Sequence, residues 1–67
     1  MNKQQKIEFL IKEFEAIIAT EIKRDQSIDS IIEQVRSIVK NNSDLNSVDI
    51  LRLETLINEM EDLNESI

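Results

Sequence analysis

The chain carries one hydrophobic pattern twice, at positions 21 residues apart, which equals three seven-residue repeats. Within each copy, apolar residues recur at i, i+3, i+4 and i+7, a spacing that places them on one face of an α-helix. The pattern therefore predicts helices that each bury one apolar face. The first copy comprises Ile7, Leu10, Ile11, Phe14, Ile17 and Ile18, and the second comprises Ile28, Ile31, Ile32, Val35, Ile38 and Val39.

Three helices are predicted, over about residues 3–23, 28–41 and 44–64, with residue 47 as a later start for the third. The segment Asn-Asn-Ser-Asp at residues 41–44 predicts a loop, because Asn tolerates the left-handed conformation that ends a helix and Ser or Asp favours the next start. The third helix is expected to bury a face made of Ile50, Leu53, Leu56, Ile57, Met60 and Leu63.

The connection between the first two helices, at residues 23–27, is ambiguous. It contains neither Gly nor Pro, and the two stripes stay in phase across it, so one long helix over residues 1–41 is an open alternative. We favour a break, because a continuous helix would place Glu21, Arg24 and Asp25 on the apolar seam.

The length of 67 residues makes the predicted core small, and a core of this size is marginal by itself. The absence of Cys and His excludes a disulfide and a zinc site as remedies, so oligomerisation is expected. We therefore expect a single all-α domain, either a three-helix unit or a helical hairpin with coiled-coil-like packing, that forms a homodimer. The residues expected in the core or the self-association seam are Ile7, Leu10, Ile11, Phe14, Ile17, Ile18, Ile28, Ile31, Ile32 and Val35.

Charge is distributed unevenly over a chain with a formal net charge of −6. Residues 1–24 hold five basic and four acidic side chains, whereas residues 25–67 hold three basic and ten acidic ones. Nucleic acid and anionic membrane surfaces are disfavoured partners, since both need a basic surface. DNA binding would depend on Lys3, Lys6 and Lys12 alone. A protein with a basic patch suits the acidic part of the chain best.

The chain offers few residues for chemistry or for export. Without His, Cys or Tyr, the common general base and the thiol nucleophile are missing, so neither an enzyme nor a cofactor is expected. A calcium loop beginning at Asp25 fails, because Ser30 and Arg36 replace the required Gly and Glu. No apolar run is long enough to span a membrane, and the start does not resemble a signal peptide. A cytoplasmic location is therefore expected.

Two apolar residues lie off the predicted stripes, and they are the sharper candidates for function. Phe9 falls nearly opposite the buried face of the first helix, and Leu51 nearly opposite that of the third. In this interpretation Leu51 is an apolar anchor ringed by polar side chains, suited to a groove with a basic rim. The candidate partner-binding residues are Phe9, Leu51, Glu54, Asn58, Glu61 and Asp62.

Residues 31–60, and above all the run Leu-Glu-Thr-Leu-Ile-Asn-Glu at 53–59, resemble the short helical hairpins of the bacterial sporulation aspartyl-phosphate phosphatase family. That family carries a Ser four residues before a catalytic Asp. The corresponding positions here are Ile50 and Glu54, so the resemblance does not imply the phosphatase activity.

The function expected from these observations is a small acidic helical protein–protein interaction module, a regulator or inhibitor that docks on a larger protein. The alternative is a structural assembly or scaffolding factor, for instance of the phage type. A phosphatase-like or DNA-binding regulator ranks below both.

Overall fold

The computed structural model describes residues 2–22, 26–41 and 44–65. It contains three helices and, within those residues, no β-strand. The prediction of an all-α protein is confirmed, and the chain forms a three-helix unit rather than a two-helix hairpin. The helices are α1 (Lys3–Ile18), α2 (Ile28–Asn41) and α3 (Ser47–Glu65).

Helix α1 begins at a reciprocal cap and ends earlier than predicted. The Asn2 side chain accepts a hydrogen bond from the Gln5 backbone N–H at 2.9 Å, and the Gln5 side chain accepts one from the Asn2 N–H at 3.1 Å. At the other end, Ala19 adopts the left-handed conformation with φ 52° and ψ 30°, and its N–H donates to the Glu15 carbonyl oxygen. The predicted end near residue 23 is therefore wrong, and residue 23 itself lies outside the described residues.

The early end of α1 follows from the burial of Ile22. This side chain is only 1% exposed and belongs to the hydrophobic core, as expected for a residue that extends the first stripe by one turn, although it lies beyond the end of the helix. Its backbone N–H donates to the Glu15 carboxylate at 3.2 Å, so the chain turns back along α1 after Ile18. Burying Ile22 offsets the cost of a left-handed Ala, which is about 1–2 kcal/mol.

Side-chain caps also define the starts of α2 and α3. Ser27 Oγ accepts a hydrogen bond from the Ser30 N–H at 3.2 Å, and Asn46 Oδ1 accepts one from the Asp49 N–H at 2.8 Å. Helix α2 matches its predicted bounds, and α3 begins at the later of the two predicted starts. Residues 42 and 43 of the predicted loop lie outside the described residues.

Helices α2 and α3 run antiparallel. Asp29, near the start of α2, accepts a hydrogen bond at 2.8 Å from the side chain of Asn64, near the end of α3. About two turns further along α2, Arg36 forms an ion pair with Glu61. From the first contact to the second, the residue number increases along α2 and decreases along α3, so the two helices are antiparallel.

Helix α1 packs on the other flank of α3. One contact between α1 and α3 is an ion pair, in which Arg52 Nη2 lies 3.1 Å from Glu13 Oε2. Arg52 stands nine residues before Glu61, and at about 100° per residue this separation corresponds to half a circle around α3. Arg52 and Glu61 therefore flank the buried face of α3, and α1 lies along one flank and α2 along the other.

Helices α1 and α2 run parallel to each other. Lys3 and Ile7, at the start of α1, line the same surface groove as Ser27 and Ile31, at the start of α2. With both starts at one end of the molecule, α1 is also antiparallel to α3. The favoured break within residues 1–41 is confirmed, since α1 ends at Ile18 and α2 begins at Ile28. The two helices are parallel, so they do not form an antiparallel hairpin.

The two hydrophobic stripes face α3 from its two sides, which explains why the pattern occurs twice. Eight of the ten predicted seam residues are buried, and Ile17 and Ile28 are partly buried against the same core. Of the face predicted for the third helix, Ile50 and Leu63 are also only partly buried. Ile38 and Val39 of the second stripe are partly buried as well, so one copy of the chain buries eight of the twelve stripe residues. The buried residues are Ile7, Leu10, Ile11, Phe14, Ile18, Ile22, Ile31, Ile32, Val35, Leu53, Leu56, Ile57 and Met60.

Candidate protein-binding surface

Three large hydrophobic side chains of the described residues are exposed, and all three belong to α1 and α3. Phe9 is 53% exposed, Val48 73% and Leu51 66%. Phe9 and Leu51 lie off the buried stripes, as the sequence pattern predicts. Val48 was missed, although its position three residues before Leu51 places the two side chains on one face of α3.

The ion pair between α1 and α3 places Phe9 and Val48 on one face of the molecule, on opposite sides of the pair along the helix axes because the two helices are antiparallel. Phe9 lies one turn before Glu13, and Val48 lies one turn before Arg52, so each shares a helix face with a member of the pair. The Arg52 side chain is 57% exposed and that of Glu13 30%, so the pair contributes at most about 1 kcal/mol to stability. Its importance here is geometric. We call the surface formed by Phe9, Glu13, Val48, Leu51 and Arg52 the α1–α3 face.

Thr55 extends the apolar strip on the α3 side of this face. Thr55 is exposed, and its hydroxyl donates to the Leu51 carbonyl oxygen at 3.0 Å, which satisfies the polar atom within the helix. Val48, Leu51 and Thr55 have the i, i+3, i+7 spacing of a helix that binds in a groove. Helix α3 is therefore apolar on two sides, since its opposite side carries Leu53 and Met60 in the core.

The acidic candidates divide between two flanks of α3. Asp62 is exposed and stands eleven residues after Leu51, within about 20° of it around the helix. Exposed Glu59 follows Thr55 by one turn and continues the same strip. Glu61, by contrast, pairs with Arg36 of α2.

The remaining polar candidates, Glu54 and Asn58, line a groove between α2 and α3 together with Arg36 and Val39. Of the four polar candidates, Asp62 is the one that continues the α1–α3 face. Glu59 belongs beside it, and its i+4 spacing from Thr55 is the signal in the sequence that points to it.

Charge is arranged along the length of this face. Helix α3 has six acidic side chains and one basic side chain, Arg52, and most of the acids are in its second half. Lys6 and Lys12 are exposed three residues before and after Phe9. Cations near the start of a helix and anions near its end interact unfavourably with the helix dipole. Since α1 and α3 are antiparallel, the basic start of α1 and the acidic end of α3 lie at the same end of the molecule.

The described residues contain no group of three or more acidic, His or Cys side chains that could hold a metal ion. The part of the chain that the structure describes also buries no polar or charged residue. The acidic groove lined by Asp29, Glu33 and Glu61 is open to solvent, and the ion pair of Glu61 with Arg36 stands beside it. None of the three helices is both long and apolar enough to cross a membrane.

Comparison of the chain with protein-family models, with curated proteins and with solved structures finds no match. The function is therefore inferred from the chain's own surface.

Proposed function

We propose that this protein is a small cytoplasmic interaction module that docks on a larger protein, as a regulator or inhibitor, through the α1–α3 face. The observation that carries the proposal is the exposure of Phe9, Val48 and Leu51 together on two helices joined by an ion pair. Single exposed apolar residues are common on protein surfaces, whereas grouped ones are typical of binding sites.

The core supports this interpretation because it is complete without the three exposed side chains. Eight of the twelve stripe residues and Ile22 are buried within one copy of the chain, and the other four stripe residues pack against the same core. Phe9 and Leu51 are therefore not core residues that the fold leaves exposed. An exposed Phe contributes little to folding, and it offers a partner a large apolar area when it is buried on binding.

The partner's chemistry follows from the residues around the apolar strip. Glu59 and Asp62 continue the strip toward the end of α3, so the complementary surface is an apolar groove with Lys or Arg at one end. Binding there blocks the partner's groove sterically, and the acidic helix occupies a site suited to another anionic ligand. In this mechanism the protein needs no catalytic group of its own.

The proposal is tested by capture of partners from the native host with the wild-type chain and two charge-matched variants. The first variant, Glu59→Lys with Asp62→Lys, reverses two charges on the α1–α3 face. The control, Glu8→Lys with Glu33→Lys, reverses two exposed acids elsewhere. We expect the control to retain the partner that the wild type captures and the face variant to lose it.

The captured protein is then purified for affinity measurements. Leu51→Ala should weaken its binding by about 30-fold or more if Leu51 is a central anchor. Each acid reversal should mainly lower the association rate and its dependence on salt. Equal binding by the wild type, the face variant and Leu51→Ala would refute the proposal. Growth of the wild type into large assemblies without a partner would favour an assembly factor instead.

A further inference from the structure

We infer that, when no partner is bound, a second copy of the chain covers the α1–α3 face in a two-fold symmetric dimer. In this dimer, α1 of each copy lies over α3 of the other. The two helices are adjacent and antiparallel, so their outward sides form one broad surface that a symmetric mate can cover.

The direction of the symmetry axis follows from charge. A two-fold axis that runs along the helices exchanges the positions of α1 and α3 and keeps each residue at its own height. The basic start of α1 then covers the acidic end of α3 in the other copy, with Lys6 facing Glu59 and Asp62. Phe9 stands one turn from Lys6 and is buried in the same contact.

The other in-plane two-fold axis, perpendicular to the helices, is disfavoured. It would place α1 on α1 and α3 on α3, each pair running antiparallel, so that the acidic second half of one α3 would lie over the first half of the other, where Arg52 is the one basic side chain. The axis along the helices instead places the acidic end of α3 over the basic start of α1. The charge pattern therefore favours the axis that runs along the helices.

The chain also has a thermodynamic reason to associate. A core of thirteen buried side chains among the described residues, in a chain that has no Cys for a disulfide, leaves little reserve of stability. Association of folded chains raises the stability of the folded state by mass action. The dimer would provide this without using the stripes, which already pack in the core of each copy.

One consequence rests on the proposed function. If the partner binds the α1–α3 face, the dimer masks that face and only the monomer inhibits. The protein's activity per molecule then falls as its own concentration rises. The dimer itself does not depend on this consequence.

The test is sedimentation equilibrium of the purified full chain over a wide concentration range. The wild type is expected to show a monomer–dimer equilibrium that weakens as salt is added, because the interface includes exposed charges. Phe9→Lys should weaken the dimer by about 30-fold or more. The control Ser37→Lys, an exposed site on α2, should leave the dimer unchanged.

If Phe9→Lys fails to fold, a charge exchange, in which two oppositely charged residues of the interface are swapped, tests the same dimer. Lys6→Glu and Asp62→Lys should each weaken the dimer about threefold to tenfold, and the double variant should restore it. Circular dichroism establishes that each variant is folded.

A wild type that stays monomeric at all concentrations would overturn the inference, as would a dimer that Phe9→Lys and the charge exchange leave unchanged. The outcome for the dimer is separable from that of the proposed function. A monomeric wild type that still captures its partner refutes only the dimer, and an intact dimer that captures nothing refutes only the docking function.

Discussion

The two Phe residues of the chain provide an internal comparison, because both lie in α1 and their environments are opposite. Phe14 is 0% exposed in the core, whereas Phe9 is 53% exposed on the α1–α3 face. They are the only aromatic residues in the sequence, so each substitution to Ala removes the same group from the same helix. The difference between the two variants therefore measures the environment alone.

The expected magnitudes are well separated. Replacing a buried Phe by Ala costs about 3–5 kcal/mol, and a chain of 67 residues has a total stability of about 3–10 kcal/mol. Phe14→Ala should therefore lower the Tm by at least about 12 °C or leave the chain unfolded. Phe9 buries about half of its surface, which is worth about 0.7–1.4 kcal/mol, and Ala recovers part of this through its higher helix propensity. Phe9→Ala should cost less than about 1 kcal/mol.

The assay is urea and thermal unfolding followed by circular dichroism at 222 nm, since the chain has no Trp or Tyr to report by fluorescence. Low protein concentration keeps any dimer from adding to the apparent stability. A Phe14→Ala variant that loses no more stability than Phe9→Ala would refute the assignment of the two faces of α1. It would also remove the argument that Phe9 is available for binding.

Two further predictions test how the chain turns after α1. Ile22→Ala should destabilise the protein by about 2–5 kcal/mol, because it leaves a cavity where Ile22 is buried, and equal stability in urea unfolding would show that residues 19–22 do not pack as described. Ala19→Gly should stabilise it by about 0.5–1 kcal/mol, because Gly adopts a φ of 52° without strain while its unfolded state is more flexible. A lower Tm for this variant would contradict the left-handed turn, since Gly would then be weakening a helix that continues.

The helical faces could be predicted from the sequence because they depend on local spacing. The period of 3.6 residues identifies the buried side of α1 and α2, and it leaves Phe9 and Leu51 on the outside. The bounds of α2 were also predictable, since Ser27 is a good N-cap and Asn41 tolerates a helix end.

The path of the chain after α1 was not predictable, because a tertiary contact determines it. Neither Gly nor Pro marks the end at Ile18, and Ala19 is a strong helix former by propensity. The turn forms because Ile22 is buried when the chain reverses there. The parallel arrangement of α1 and α2 follows from the same contact, and a stripe pattern contains no information about direction.

From the sequence, only the angular positions of the candidate binding residues on a helical wheel could be predicted. The wheel places Leu51 among polar side chains, but it does not indicate which flank of α3 each neighbouring helix covers. The contact of Arg36 with Glu61 assigns that acid to the flank next to α2, and the contact of Arg52 with Glu13 places the exposed apolar residues of α1 and α3 on adjacent helices. Long-range pairs of this kind leave no periodic signal in one sequence.

The most direct test of the central claim, that the protein acts through the α1–α3 face, is NMR mapping of its contacts. Amide spectra of the isotope-labelled chain are recorded while the purified, unlabelled partner is added. We predict shift changes or broadening centred on Phe9, Val48, Leu51 and Asp62. Changes centred instead on the outer side of α2, around Ser30, Glu33 and Ser37, would contradict the account.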